Sequence, residues 1–312
     1  MKPIIQSFHN KIQLGKRMPF LAKSFSIILL LASFSTLLLS QEEAVESNKD
    51  LRPVKNTFES IWLIDNQTAV VPIKGTFEFD MQHRFGVVKN GYDDFYGLYA
   101  PSNIRLGFDY VPIKNLQVGF GFSKERLLWD FNAKYALFKQ ARKGGFPFSV
   151  TYFVNAAIDT RDKANFHNTT TDRFSFFNQL MVARKVNRHF SIQVAGSVSH
   201  FNAVDAFINA DRQIEGKMNN DHVAVSVLGR YKFTNVMGFI VNYTQPVTDH
   251  QTNNPNPNFS FGLEMTSSSH AFQVFVTNFK SLVPQYSNVF NGNDPGNGDF
   301  LIGFNITKMW NW

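Results

Sequence analysis

Charged side chains recur at alternate positions of short apolar segments, and they are the residues of this chain with the clearest potential for chemistry. Positions two apart lie on the same face of a β-strand. If such strands close into a barrel with this face inward, the charges form a constriction that orders water and selects ions or small polar solutes. The alternative is a lumen filled by neutralising pairs, with Glu78 or Asp80 facing Arg105. The ten candidates are Glu78, Asp80, Arg84, Arg105, Asp109, Asp130, Lys134, Arg230, Lys232 and Glu264.

Histidine is the other residue type that could form a cluster. Neutral imidazoles that converge at one rim could bind a metal ion or haem. The alternative is a set of solvated histidines without shared geometry, and on this interpretation we predict no metal site. The segment 292–299 (GNDPGNGD) is rich in oxygen ligands but lacks the EF-hand spacing, so it is predicted to be a surface loop. The candidate ligands, which share the predicted rim with His83, are His167, His200, His222 and His250.

The sequence contains no established catalytic motif. HExxH, GxSxG and the P-loop are absent, and Gly119-Phe120-Gly121 lies on an alternating strand, where packing in a narrow lumen explains the glycines. The absence of cysteine excludes disulfides, thiolate catalysis and cysteine-ligated metal sites. We therefore predict a protein that is not an enzyme and carries no cofactor.

The elements that must position these residues are amphipathic strands. The last fourteen residues, DFLIGFNITKMWNW, place Phe304, Ile306, Trp310 and Trp312 on one face and small or polar residues on the other. A strand that is apolar outward and ends the chain on an aromatic residue suits a barrel wall in lipid, and these four residues are predicted to be its insertion signal. The same alternation recurs along most of the chain from Gly75 onward.

The connections between these strands alternate in length. Tight turns at 111–115, 139–145, 186–189, 233–236 and 267–269 alternate with longer connections at 86–102, 160–171, 201–220, 247–257 and 279–298, and 123–127 is a short exception. Outer-membrane barrels have short periplasmic turns and longer extracellular loops. The rhythm predicts an all-β, antiparallel, up-and-down transmembrane β-barrel of about 12 strands with both termini in the periplasm. A barrel of fourteen strands is the alternative. The strand-like segment 57–65 is not one of the twelve predicted barrel strands.

Three regions are predicted along the chain. Residues 1–40 have a basic start followed by an apolar run of about fifteen residues, which is typical of an export signal, with Met18 as an alternative start. Residues 41–74 form a periplasmic or lumen-inserted extension, and residues 75–312 form the barrel. The formal charge is +7, but five basic residues lie in the signal. Removing them from the 31 Lys and Arg residues leaves 26 against 24 acidic residues, so binding to nucleic acid is not predicted.

A soluble barrel or sandwich is the competing architecture. It would have to bury the alternating apolar faces, and the chain contains 34 phenylalanines. So many large aromatic side chains are difficult to fit into one close-packed soluble core. Aromatic residues near strand ends, such as Tyr110, Trp129, Tyr135 and Trp310, suit the interfacial girdles of a membrane barrel.

Several segments resemble a family of Bacteroidetes-type outer-membrane β-barrels that is a domain of unknown function. The segments are HRFG (83–86), IRLGFDY (104–110), AKYALFKQ (133–140), HAFQVFVTN (270–278) and GFNITKMW (303–310). The resemblance implies a barrel at the outer membrane and gives no activity.

We predict a channel or transporter for small solutes, with outer-membrane lipid, the barrel assembly machinery and a small-molecule or ion solute as partners. A structural or adhesive barrel, or a subunit of an envelope complex, is the first alternative. An outer-membrane lipid hydrolase using a Ser–His pair is the second, although no outward serine clearly adjoins His200.

Overall fold

The computed structural model describes residues 49–168 and 170–311. The predicted export signal at 1–40 and the terminal Trp312 therefore lie outside the described residues. No helix within the described ranges is long and apolar enough to cross a membrane.

Twelve antiparallel strands form one closed barrel, in which the last strand pairs with the first. The predictions of an all-β class and of twelve strands are confirmed. Most of the predicted connections match, including the short exception at 123–127. The predicted tight turn at 139–145 is instead a longer connection, residues 139–148, because part of it pairs with the segment Asp50–Pro53. We refer to the two ends of the barrel as the turn end and the loop end. The strands are β1 (Thr76–Val87), β2 (Asn103–Ile113), β3 (Leu116–Ser123), β4 (Leu128–Phe138), β5 (Ser149–Asp159), β6 (Phe174–Lys185), β7 (Phe190–Phe201), β8 (Asp221–Lys232), β9 (Met237–Pro246), β10 (Asn258–Thr266), β11 (His270–Thr277) and β12 (Leu301–Asn311).

Burial along each strand is inverted relative to a soluble protein. In β4, Trp129 and Phe131 are 45% and 50% exposed, whereas Asp130 and Lys134 between and beyond them are fully buried. Among the described residues, the buried set contains more polar than hydrophobic side chains. Because exposed apolar surface of this extent is unfavourable in water, the outer face is built to contact an apolar solvent.

The connections carry the remaining elements. The loop-end connections contain the helix α1 (Pro284–Val289) and a strand pair formed by Ala206–Ile208 and Ile214–Lys217. At the turn end, Asp50–Pro53 pairs with Ala141–Lys143 in the connection between β4 and β5. Short 3-10 helices lie at Val88–Asp94, Glu125–Leu127, Lys163–Asn165 and Pro295–Asn297.

The segment 57–65, which the sequence suggested to be a strand, has a different structure. Only Trp62–Leu63 is extended, and it pairs with Asn66–Gln67 to form a minimal hairpin. Ile64 has a φ of +62°, which reverses the chain within two residues and prevents a longer strand.

Candidate functional site in the barrel lumen

The barrel lumen is occupied by residues 57–71, which we call the plug. Glu59 contacts Arg230 and Lys232 near the turn end, and Val71 packs against Val111 and Ala136 at the same end. The hairpin at Ile64 lies between these two points and reaches into the barrel. The plug thus enters and leaves through the turn end, with its apex directed toward the loop end.

Two glutamines of the wall hold the plug backbone. The Gln193 side chain accepts a hydrogen bond from Ala69 N–H at 2.7 Å and donates to the Gln67 carbonyl at 2.8 Å. The Gln273 side chain accepts from Ile64 N–H at 3.0 Å and donates to the Trp62 carbonyl at 2.9 Å. These glutamine clamps satisfy backbone groups that the plug cannot pair within its short hairpin.

Further polar side chains surround the plug on other strands. Thr151 Oγ1 donates to the Ala69 carbonyl at 2.8 Å. Asn305 Nδ2 donates to the Ile64 carbonyl at 2.6 Å, and Asn66 Nδ2 donates to Asn242 Oδ1 at 3.0 Å. The plug is therefore held by wall side chains, and no barrel strand pairs with its backbone in the described part of the chain.

Arg105 is the centre of the main ionic cluster. It contacts Asp80 at 3.1 Å and Asp130 at 2.8 Å, and all three side chains are buried. Glycines on neighbouring positions make the space: a methyl group at Gly107 would lie 1.7 Å from an Asp80 oxygen, and one at Gly121 would lie 2.3 Å from an Arg105 nitrogen. The indole of Trp62 in the plug lies 5.3 Å from the Arg105 guanidinium carbon, so the cluster also touches the plug.

A second ionic cluster joins the plug to β8 and β10. Arg230 pairs with Glu264 and lies 3.4 Å from Glu59 of the plug. Lys232 reaches the same Glu59 carboxylate at 3.3 Å. On β1, Arg84 donates to Asn305 at 3.0 Å and stacks over the Phe275 ring.

The ten charged residues singled out in the sequence all line this lumen. Nine are at most 3% exposed, and Lys232 lies partly open at the turn end. The Asp80–Arg105 pair, one of the two alternatives for Arg105, is present in the structure. Sequence reasoning missed the glutamine clamps and the acidic residues of the plug. The only available signal was that Gln193 and Gln273 occupy inward positions of their strands.

The loop end of the lumen is covered by residues 278–300, which we call the cap loop. All six residues of α1 are buried. Gln285 Nε2 donates to Asn155 Oδ1 at 3.1 Å, and Asn288 Nδ2 donates to Ser197 Oγ at 3.4 Å. Arg126 stacks over the rings of Tyr286 and Phe290. The plug thus fills the lumen from the turn end, and the cap loop lies over it at the loop end.

The candidate histidines do not form one cluster. His167 is exposed in a loop, and the His83 ring stacks on Phe304 on the outer face. His200 bonds to Asp221 at 2.7 Å. His222 and His250 are together, with ring nitrogens 3.0 Å apart. Within the described ranges, no group of three or more His, Cys, Asp or Glu side chains is arranged to hold a metal ion.

The neutral His222–His250 pair joins the start of β8 to the connection between β9 and β10. Asn219 N–H donates to His250 Nδ1 at 2.9 Å, so the proton of a neutral His250 lies on Nε2 and is donated to His222 Nδ1. Burial lowers the pKa of His250, against an opposing effect of Asp249. The folded state therefore favours the uncharged ring. The stabilisation that this contact gives to the folded state is fully present above the ordinary histidine pKa of about 6.5 and is lost as the pH falls below that value.

Acidification to about pH 5 is expected to loosen the connections 202–220 and 247–257, because protonated His222 and His250 would repel each other. The measurement is hydrogen exchange of these segments at neutral and acidic pH. The double variant His222→Gln/His250→Gln should lose this acid response, whereas His200→Gln, the control, should keep it. An equal response in all three proteins would contradict the prediction.

His200 and Asp221 form a pair on the outer face that could suit a hydrolase. The imidazole is 41% exposed and bonds to the carboxylate through Nδ1. A nucleophilic mechanism also needs a hydroxyl within hydrogen-bond reach of the ring. Among the residues that the structure describes, no serine or threonine hydroxyl is hydrogen-bonded to His200, so this pair supplies only part of such a site.

The closed sheet, its apolar outer face and its polar filled interior define a membrane-bound β-barrel. The chain belongs to the family described as "Membrane bound beta barrel domain (DUF5777)", which matches residues 58–310. The predicted resemblance to a barrel family of unknown function is confirmed. The match covers the plug from its second residue onward and all twelve strands up to the last residue but one of β12.

Solved barrels show a similar fold at low identity. A NanC porin is 7% identical with a TM-score of 0.47, covering 76% of this chain and 99% of that chain. An outer membrane channel from Pseudomonas putida F1 is 11% identical with a TM-score of 0.46, covering 77% and 97%. A KdgM porin in complex with disordered oligogalacturonate is 7% identical with a TM-score of 0.43, covering 76% and 99%. No curated protein sequence matches this chain. Identities this low leave its function open.

Proposed function

We propose that this protein is an outer-membrane channel for small polar solutes or ions that is closed by its own plug. The inner wall is polar and charged, which suits the passage of hydrated solutes. The observation that carries the proposal is the way the plug is held. Side chains such as Gln193 and Gln273 bind its backbone, so the plug can move without breaking the pairing of the barrel strands.

The proposed location follows from the strand pattern and the N-terminal sequence. A cleaved export signal at residues 1–40 would deliver the chain to the periplasm. The barrel assembly machinery would then insert it, using the outward aromatic residues of β12 and Trp312 as the signal. In β12, Phe304, Ile306 and Trp310 are half-buried, and Phe304 and Trp310 contact the outer-face rings of His83 and Phe77, which supports an outward position in a lipid-facing wall.

A disulfide lock between plug and wall tests the proposal directly. The side-chain oxygens of Ser60 in the plug and Thr307 in β12 are 3.4 Å apart, so cysteines at these two positions lie within bridging reach. The native chain has no cysteine that could interfere. In planar bilayers the oxidised Ser60→Cys/Thr307→Cys protein is expected to be silent, and reduction should restore the conductance of the unmodified protein.

The single variants Ser60→Cys and Thr307→Cys are the matched controls, and both should conduct under oxidising conditions. Equal conductance of the oxidised and reduced double variant would show that the plug is not the gate. An unmodified protein that inserts into bilayers and never conducts would contradict the channel itself.

A structural or adhesive barrel, or a subunit of an envelope complex, is the second candidate function. It is favoured by one observation, the filling of the lumen by the plug beneath the cap loop. Release of the plug separates the two functions, because a structural barrel has no need of a continuous path and would stay silent when the plug is displaced.

A further inference from the structure

Four inward side chains near the turn end of the lumen have polar atoms without partners. Both carboxylate oxygens of Glu78, one oxygen of Asp109, the amide oxygen of Gln117 and both amide atoms of Asn132 make no hydrogen bond. The four side chains are at most 6% exposed. Buried polar groups are nearly always satisfied, so this concentration of unsatisfied atoms points to a missing binding partner.

The register places the four residues along one row of the inner wall, across the neighbouring strands β1 to β4. Glu78 on β1 is the direct partner of Asp109 on β2, which in turn is opposite Gly119 on β3. Gly119 is opposite Asn132 on β4, and Gln117 donates to Asp109 at 3.0 Å. A methyl group at position 119 would lie 2.0 Å from an Asp109 oxygen, so the glycine leaves the space into which this carboxylate leans.

The surrounding charges do not neutralise this cluster. Arg105 is shared by Asp80 and Asp130, and Lys134 donates to the plug at the Gln67 side chain and the Thr68 carbonyl. No ion pair to Glu78 or Asp109 occurs in the described part of the chain. Four carboxylates thus face two basic side chains in this part of the lumen. A buried carboxylate without a partner is strongly unfavourable and is expected to take up a cation or a proton.

We propose that Glu78, Asp109, Gln117 and Asn132 form a binding site for a hard divalent cation, with Ca²⁺ as the best match. Their free atoms supply carboxylate and amide oxygens, the mixture that Ca²⁺ accepts together with water. The two carboxylates neutralise the charge of one divalent ion, and the two amide side chains supply the further, uncharged protein ligands. Mg²⁺, which demands a tighter octahedral arrangement and keeps its waters, suits this loose set less well.

Calcium binding to the full chain in detergent tests the site. After treatment with a chelator, equilibrium dialysis with radioactive Ca²⁺ should show one saturable site per chain. Glu78→Gln and Asp109→Asn should each weaken binding by at least about tenfold, because each removes one charged ligand. Asp294→Asn is the matched control: it removes a carboxylate from the oxygen-rich segment of the cap loop and should leave the affinity unchanged.

A substitution that alters no charge keeps the test decisive if Glu78→Gln and Asp109→Asn fail to fold. Asn132→Ala alters no charge and should weaken Ca²⁺ binding several-fold, and Ca²⁺ should raise the melting temperature of the unmodified protein. Absence of saturable binding at millimolar Ca²⁺ would overturn the proposal and favour proton uptake by Glu78. Binding that survives Glu78→Gln and Asp109→Asn, or that is lost in Asp294→Asn, would overturn it as well.

Discussion

Alanine at both Gln193 and Gln273 is expected to raise the conductance of the reconstituted protein by at least about tenfold, by releasing the plug. The two side chains make four hydrogen bonds to the plug backbone. At about 1 kcal/mol for each bond, their loss removes about 4 kcal/mol from the closed state. That amount corresponds to about a thousandfold shift between closed and open forms, so a tenfold increase is a conservative threshold.

Gln140→Ala is the matched control for this double variant. The Gln140 side chain holds a backbone segment in the same way, because its amide donates to the Lys185 carbonyl at 3.0 Å and accepts from Lys185 N–H at 2.8 Å. Its side chain binds the end of β6 and not the plug, so its removal should leave the conductance unchanged. Planar-bilayer recordings of the three proteins make the comparison. A double variant that inserts normally and conducts no more than the control would exclude the clamps as the elements that hold the gate closed.

The second large effect is expected from Arg105→Met, which leaves Asp80 and Asp130 buried without their partner. Breaking a buried ion pair from one side costs about 3–5 kcal/mol, because the remaining charge stays uncompensated. We expect a decrease of this size in the free energy of unfolding, measured by urea denaturation in lipid vesicles with tryptophan fluorescence as the signal. The folded band of the barrel in unheated gel electrophoresis should weaken in parallel.

A triple variant separates the effect of charge from that of packing at Arg105, and a surface variant is the control. The triple variant Arg105→Met/Asp80→Asn/Asp130→Asn should recover most of the lost stability, because replacing all members of a buried cluster leaves no uncompensated charge. Arg52→Met removes the exposed partner of Asp50 and should not change stability measurably, as expected for a surface pair. If Arg105→Met is as stable as the unmodified protein, the cluster does not stabilise the barrel.

The barrel wall could be predicted from the sequence because each of its determinants is local. Alternation between residues such as Trp129 and Asp130 fixes which face of a strand meets lipid, and the lengths of the connections fix the number of strands. The inward direction of Arg105 and Asp80 follows from the same period of two. Their contact requires only that neighbouring strands pair in register.

The contents of the lumen could not be predicted, because they depend on contacts between residues distant in the chain. The plug sequence shows no repeating apolar pattern. Its residue types gave no signal for the turn at Ile64, because the segment otherwise resembles a strand. Gln193 and Gln273 look like any polar lumen residue until the plug lies against them. The His222–His250 contact joins a strand to a loop 28 residues away, and sequence spacing alone did not single out this pair.

The short connections on either side of the plug have a consequence for the speed of closing. Val54 N–H is bonded to the Gln140 carbonyl at the turn end, three residues before the plug begins, and β1 starts at Thr76, five residues after the plug ends. A displaced plug therefore stays beside the mouth of the barrel at a local concentration of about millimolar or more. Rebinding is an intramolecular event that does not depend on protein density in the membrane. Each opening should accordingly be brief and self-limiting, with a duration set by the chain itself.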